Sequence, residues 1–254
     1  PGRFAIRDFL ALRKEDYDFV IANVENASHG YGLTKNNYEQ ILRYGVHAMT
    51  SGNHIWDRKE IFEYIADADK LVRPLNYPEG TPGVGARVFK IDENISIGVI
   101  NALGQVFMGN TLRPWELIKD EINKIKRETP IIIVDFHAEA TAEKVSCGYI
   151  CAKEQVSAVI GTHTHVQTAD ETILSEGTAY ITDAGFCGSR KSVIGMNIED
   201  SVGRLLTMLP SRLEVAEIEE AQINGVEIVV DALTGRAESI KRINEFIRLQ
   251  NEVS

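Results

Sequence analysis

Cysteine is scarce in this chain of 254 residues: Cys147, Cys151 and Cys187 are too few, and odd in number, for a disulfide framework. That favours a reducing, cytoplasmic setting. Long apolar runs are missing as well; none approaches the roughly 18 residues of a membrane span, and no signal-peptide pattern opens the chain. Positive charge is short, with 27 Lys and Arg against 37 Asp and Glu and a net charge of −10. Such a balance argues against a protein that grips nucleic-acid duplexes through clustered cations. It leaves a phosphate substrate open, because bound metal ions supply positive charge locally. Internal repeats, low-complexity tracts and credible linkers are also lacking, so one α/β domain over residues 1–254 is the economical expectation. A hydrophobic share of 44% and a charged share of 25% suit an ordinary globular core.

The opening "PGRFAIRDFL" lacks a leading strand and runs at once into an amphipathic helix pattern, with Phe4, Phe9, Leu10 and Leu12 as its apolar positions. Pro-Gly before a helix normally closes a strand–turn–helix unit, so the expectation is a fold whose first strand is missing from the chain. Beyond it, strand and helix patterns alternate. Phe19–Val24 is an apolar run of the kind buried on both faces. Thr34 is placed to cap a helix over 35–44, and Gly45 to end it. Strands are expected near 48–51, 86–91, 96–101, 131–136, 157–161 and 178–183, and helices near 58–68, 115–128, 141–152 and 197–209. The segment "RPLNYPEGTPGVGA" (73–86) holds three prolines and three glycines and must be a loop. Asn224-Gly225 is a hairpin-turn signal between strands near 213–219 and 226–232. The stretch 237–251 fits a helix through Ile240, Ile243 and Ile247, or begins as a strand.

Four places share one pattern: an apolar strand ends and metal-capable or titratable residues follow at once. They are "IANVENA" (21–27), "MTSGNHIWD" (49–57), "VDFHAEAT" (134–141) and "AVIGTHTHVQTAD" (158–170), and they hold four of the six histidines. In open α/β sheets the carboxyl ends of neighbouring strands converge on one crevice, so these residues can meet. Singly, each has a plainer reading. Glu25 could pair with a lysine, Asn26 and Asn53 could shape turns, and His137 could be a satisfied core histidine. Cys147 and Cys151, four apart, read as packing. Together, a carboxylate, two amides and three imidazoles form a mixed O/N set suited to Fe, Mn or Zn, whereas Ca or Mg would ask for more oxygen.

The order "EN…GNH…H…GTHTH" resembles the calcineurin-like metallophosphoesterases. The stretches "VIANVENASHGYGLT", "SGNHIWD", "RPLNYPEGTPG", "VDFHAEATAEK" and "GTHTHVQTADE" resemble their YmdB-like branch across essentially the whole chain. The resemblance implies a four-layer α/β/β/α sandwich and a site for two divalent or mixed-valence metal ions, Fe or Mn first and Zn next. It implies that Glu25 bridges both ions, that Asn53, His137 and His163 hold one, and that Asn26 and His165 help hold the other. His54 would be the catalytic residue beside the leaving group rather than a ligand. The implied reaction is hydrolysis of a small phosphodiester, with cyclic nucleotides (2′,3′ forms among them) as candidates, by a hydroxide bridging two ions about 4 Å apart. The family's first strand ends in Gly-Asp just before "PGR", and that Asp joins His165 on its ion. Its absence from this sequence reads as an incomplete copy; were the chain whole, the His165 ion should bind weakly.

Asp57 reads as a helix N-cap first and as a partner of His54 second. Asp135 and Glu139 read equally as supports for the ligands and as strand-end polarity. Arg190 and Lys191 read as solvated surface before phosphate contacts, His47 as structural, and His29 as a loop residue able to face the pocket. Self-association into a homo-oligomer is compatible with the sequence. A competing class is a non-catalytic regulatory protein that retains the fold and at most one metal. A mononuclear zinc hydrolase ranks last, since it leaves Glu25, Asn26 and Asn53 without a purpose.

Overall fold

The computed structural model describes residues 1–217 and 220–248. In chain order the elements are α1 (Gly2–Arg13), β1 (Ile21–Asn23), α2 (Lys35–Arg43), β2 (Ala48–Thr50), α3 (Ile61–Tyr64), β3 (Ala86–Lys90), β4 (Ser96–Leu103), α4 (Pro114–Ile125) and β5 (Ile132–His137). They continue as α5 (Thr141–Lys153), β6 (Ala158–Thr162), β7 (Thr172–Leu174), β8 (Thr178–Ile181), β9 (Gly188–Ser189), α6 (Ile198–Thr207), β10 (Ala221–Val230) and β11 (Ala237–Ile247).

Six strands form the main sheet in the order β3-β4-β5-β6-β8-β7, with β4, β5, β6 and β8 mutually parallel and the two outer strands antiparallel. Alternation along β5 sets the layers, because successive side chains leave a strand on opposite faces. Ile132, Val134 and Phe136 pack with Ile118, Ile122 and Ile125 of α4 and Cys147 and Cys151 of α5. Ile131 and Ile133 face the other way, toward Ile21, Ala48, Ile228, Val230 and Ile240 of the β1-β2 pair and the β9-β10-β11 sheet. Beyond that second β layer, Phe9 and Leu10 of α1, Tyr38 and Ile41 of α2 and Ile61 of α3 form a third cluster. The result is α4 and α5, a sheet, a second β layer, then α1 to α3: the four-layer α/β/β/α sandwich of the metallophosphoesterase type.

Most expected elements are present, with instructive exceptions. Thr34 does cap α2, accepting from the Asn37 N–H at 3.3 Å. Of the helix expected over 58–68, only Ile61–Tyr64 is α-helical. Its periodicity still buries Ile61, Tyr64, Ile65 and Ala68, because single turns with i→i+3 bonds keep the same face inward. The run 19–24 is not buried on both faces, since Ile21 and Ala22 are half-buried and Asn23 is exposed. Leu12 of α1 is also exposed, at the far side of the stripe that buries Ala5, Phe9 and Leu10.

The Asn224-Gly225 turn is the clearest correction. These residues lie inside β10, opposite Asn244 and Ile243 of β11. The chain reverses instead at 231–236, where Asp231 Oδ1 accepts from the Leu233 and Thr234 N–H groups and Gly235 takes a φ of 72°. An Asx turn backed by a left-handed glycine defines the hairpin more firmly than Asn-Gly does here. No strand forms over 213–217; residues 218–219 lie outside the described residues. The stretch from 237 is a strand through Ile247, not a helix, and the remainder of that expected element, residues 249–251, lies outside them too.

Candidate metal centre

The carboxyl ends of β1, β2, β5 and β6 open on one crevice between the two β layers. Glu25 and Asn26 follow β1, Asn53 and His54 follow β2, His137 ends β5, and His163 and His165 follow β6. All seven residues singled out in the sequence therefore lie at strand ends on one side of the molecule, and contacts link them. His137 Nε2 stands 3.2 Å from Glu25 Oε1, 3.0 Å from Asn53 Oδ1 and 3.0 Å from His163 Nδ1. Glu25, His137 and His163 each offer a ligand atom, and those atoms lie within 4.8 Å of one another. Asn26 Nδ2 reaches His165 Nε2 at 3.1 Å and Glu25 Oε1 at 3.3 Å, which joins the His165 side to the rest.

The donor set fits a cation. His137 Nδ1 meets Thr162 Oγ1 at 2.9 Å, and that hydroxyl donates its only proton to Asp135 Oδ1 at 2.7 Å. Thr162 must then accept from His137 Nδ1–H, which leaves Nε2 facing a carboxylate oxygen, an amide oxygen and a second imidazole. Either a proton on Nε2 or a cation at the centre relieves this crowd of lone pairs. On the other side, Asn26 Oδ1 is buried and has no hydrogen-bond partner. A buried acceptor left unpaired costs about 1–3 kcal/mol, and a cation beside it would remove that cost. Gly52 supplies the room: a Cβ at this position would fall on Glu25 Oε2 and His137 Nε2.

Electrostatics agree with ligand duty. Burial pushes the Glu25 carboxyl up, but His137 and the His54 N–H together outweigh it and hold it at about 2. Burial, and then His137, push the His163 imidazole down, toward the neutral form that binds metals. Asp135, fully enclosed, is pushed up by burial against the pull of His137 and the hydroxyl and amide donors around it.

Those donors tie the layers together. Asp135 Oδ2 accepts from Asn23 Nδ2 at 3.1 Å and from the Thr50 hydroxyl, both on the second β layer. Asn101 of β4, buried, accepts from Ser51 N–H at 3.2 Å and donates to the Asp135 carbonyl at 3.3 Å, anchoring the start of the 51–54 turn. Of the two readings of Asp135, support for a ligand is the one its bonds describe. Glu139 sits 3.1 Å from His163 Nε2, steering Nδ1 inward.

His54 is partly exposed at the mouth, edge-on to Tyr31 with ring centroids 5.2 Å apart. Asp57 Oδ2 contacts its Nδ1 at 2.8 Å. Asp57 ends the short 3₁₀ turn Asn53–Trp56 and is not the cap of α3, so the N-cap expectation gives way to the orienting one. Arg190 pairs with Glu220 at 2.6 Å and stacks over Phe246, so its side chain is engaged away from the centre. His47 accepts from the Val20 N–H and stacks on Phe19, a structural role. His29 is an exposed loop residue in the left-handed region. Cys147 and Cys151 pack beneath the main sheet with sulfurs 3.8 Å apart. Thr162, Asn23, Thr50 and Asn101 are invisible in the sequence, since isolated Thr and Asn residues carry no spacing signal.

The fold and this strand-end cluster define a protein of the metallophosphoesterase class. A sequence profile described as YmdB-like protein matches residues 1–243, and the chain belongs to that family. It is 44% identical over 245 residues to the 2′,3′-cyclic-nucleotide 2′-phosphodiesterase of Bacillus subtilis, covering 96% of this chain and 92% of that one. The crystal structure of a hypothetical protein from Thermus thermophilus superposes with a TM-score of 0.90 at 35% identity, over 97% of this chain and 94% of that one. The crystal structure of a novel phosphatase from Mycoplasma pneumoniae gives 0.88 at 37% identity, over 96% and 89%.

Proposed function

We propose that this chain is a metal-dependent phosphodiesterase acting on a small cyclic nucleotide, with 2′,3′-cyclic forms the first candidates. The observation that carries the reading is the convergence of Glu25, Asn53, His137 and His163 on one point, beside the unpartnered Asn26 Oδ1. The name of the Bacillus subtilis relative supports the substrate class. Asn53, His137 and His163 would hold one ion, Asn26 and His165 would help hold a second, and Glu25 would serve both sets. Fe or Mn suits this mixed set first, and Zn next. Ions held there would supply positive charge to the phosphoryl oxygens and lower the pKa of a nearby water toward neutrality.

The chain's own residues do the rest. Glu25, held below the ordinary carboxylate range chiefly by the neighbouring His137, offers two oxygens toward the centre. Thr162 and Asp135 keep His137 in the tautomer that presents Nε2. Asp57 engages His54 Nδ1 and leaves Nε2 as the nitrogen available to substrate. His54 then donates a proton to the departing ribose oxygen, a role in which an imidazole is effective because histidine titrates near neutrality. His54→Ala should keep the bound metal and lose roughly 10²–10⁴ in turnover of 2′,3′-cyclic AMP. Full turnover in the metal-loaded variant removes His54 from this role. Wild-type protein that takes up Mn²⁺ or Fe²⁺ and hydrolyses no phosphodiester would favour a non-catalytic function.

A further inference from the structure

Lys144 of α5 and Asp183, just beyond β8, form an ion pair at 2.6 Å with both side chains about 1% exposed. No step above uses them. Removing two charges from water is costly, and well-packed apolar residues often replace such a pair without loss of stability. Its geometry supplies what apolar residues lack. Asp183 Oδ2, already holding Lys144 Nζ, also accepts from the Thr164 N–H at 3.0 Å and the Thr164 hydroxyl at 2.8 Å. Its other oxygen accepts from the Gly185 N–H at 2.9 Å.

Thr164 stands between His163 and His165, and both histidines are held in the left-handed region, at φ 110° and 63°. L-residues rarely occupy that region unless their surroundings impose it. These two conformations send the neighbouring imidazoles to different partners: His163 to His137 and Glu139, His165 to Asn26 and the Ile194 carbonyl. Thr164 is the point from which both are aimed, and Asp183 grips it by backbone and side chain at once.

We infer that the buried Lys144–Asp183 pair is a positioning device that, through Thr164, sets His163 and His165 in place to hold ions. The inference rests on the ion-holding roles proposed above. It makes Lys144, Thr164 and Asp183 positioning residues that touch neither ion nor substrate, and it predicts an effect on metal affinity separable from folding.

The test compares wild type, Thr164→Val and Thr164→Ser. Mn²⁺ affinity is measured by equilibrium dialysis with electron paramagnetic resonance of the free ion, and the melting temperature is taken on metal-free protein. Valine keeps the volume and the N–H but removes the hydroxyl; serine restores it. Thr164→Val should weaken Mn²⁺ binding about 10–100-fold, Thr164→Ser should bind within about threefold of wild type, and metal-free melting should shift by less than about 4 °C. Lys144→Met, which leaves Thr164 intact and frees the carboxylate to move, should weaken Mn²⁺ binding in the same direction. Unchanged affinity in Thr164→Val, failure of serine to restore it, or a loss matched by a larger fall in metal-free melting overturns the inference while leaving the metal reading in place. Wild-type protein that binds no Mn²⁺ overturns both.

Discussion

The two halves of the crevice are built on different principles. In the deep half, Glu25 and His137 are 3% and 1% exposed, and His137 is braced from behind by Thr162 and Asp135. Asp135 in turn draws donors from β1 and β2, so residues on four strands fix one imidazole. In the shallow half, Asn26 and His165 are only half-buried, His165 leans on a backbone carbonyl at 3.3 Å, and Asn26 Oδ1 has no partner. The deep half is rigid because its polar groups satisfy one another through regular strands. The shallow half hangs on a loop whose backbone is held from below. Buried polar networks of the first kind specify a single geometry; the second kind keeps a buried acceptor, Asn26 Oδ1, without a partner of its own.

The largest effect that breaks this comparison should come from the deep half. His137→Ala removes the atom on which Glu25, Asn53 and His163 converge. It should lower kcat/KM for a cyclic phosphodiester about a thousandfold or more, the equivalent of several kcal/mol of charge stabilisation, and abolish tight Mn²⁺ uptake. Retention of tight uptake would place the ion elsewhere.

Next is the part of the acid limb that Glu25 contributes. Its carboxyl is held at about 2, below its ordinary 4.5. A depressed folded-state value adds stability above the unfolded value, and that stability is lost as the pH falls toward the folded value. Metal-free wild type should therefore lose about 3 kcal/mol between pH 5 and pH 2 through this group. Urea unfolding of Glu25→Gln should show a shallower fall over the same range. His137→Ala should flatten it as well, because His137 is the principal group that lowers Glu25. Identical slopes in all three proteins would dissociate the pair.

The sequence reveals the two halves unequally, for physical reasons. Strand ends followed at once by His, Asn or Glu are visible in a linear chain, because the turn that aims a ligand is local to it. So "SGNHIWD" and "GTHTH" disclose their crevice-facing residues before any register is known. The brace behind His137 depends on which rung of β5 lies beside β6 and which strand of the second layer lies over Asp135. Those are tertiary facts, and Thr162, Thr50 and Asn23 carry no mark of them. Asp57 reads the wrong way round from sequence because three-residue spacing from His54 serves a 3₁₀ turn as well as a cap. Asn224-Gly225 misleads because the pairing of ten rungs between β10 and β11 overrides a two-residue preference.

The smallest effects sharpen the contrast most, since they separate holding an ion from holding the fold. Thr162→Val leaves His137 Nδ1–H and Asp135 Oδ1 without their shared hydroxyl inside the core, so the metal-free protein should lose about 1–3 kcal/mol. Asn26→Leu removes an amide oxygen that is buried and unpaired, at the expense of amide contacts with His165 and Glu25 at 3.1 and 3.3 Å. These contributions oppose each other, so metal-free stability should stay within about 1 kcal/mol of wild type. Both variants should bind Mn²⁺ more weakly, and urea unfolding without metal tells them apart. If Asn26→Leu destabilises the metal-free protein as much as Thr162→Val does, Asn26 belongs to the braced half, and the division between a self-satisfied deep half and a shallow one left with an unpaired acceptor fails.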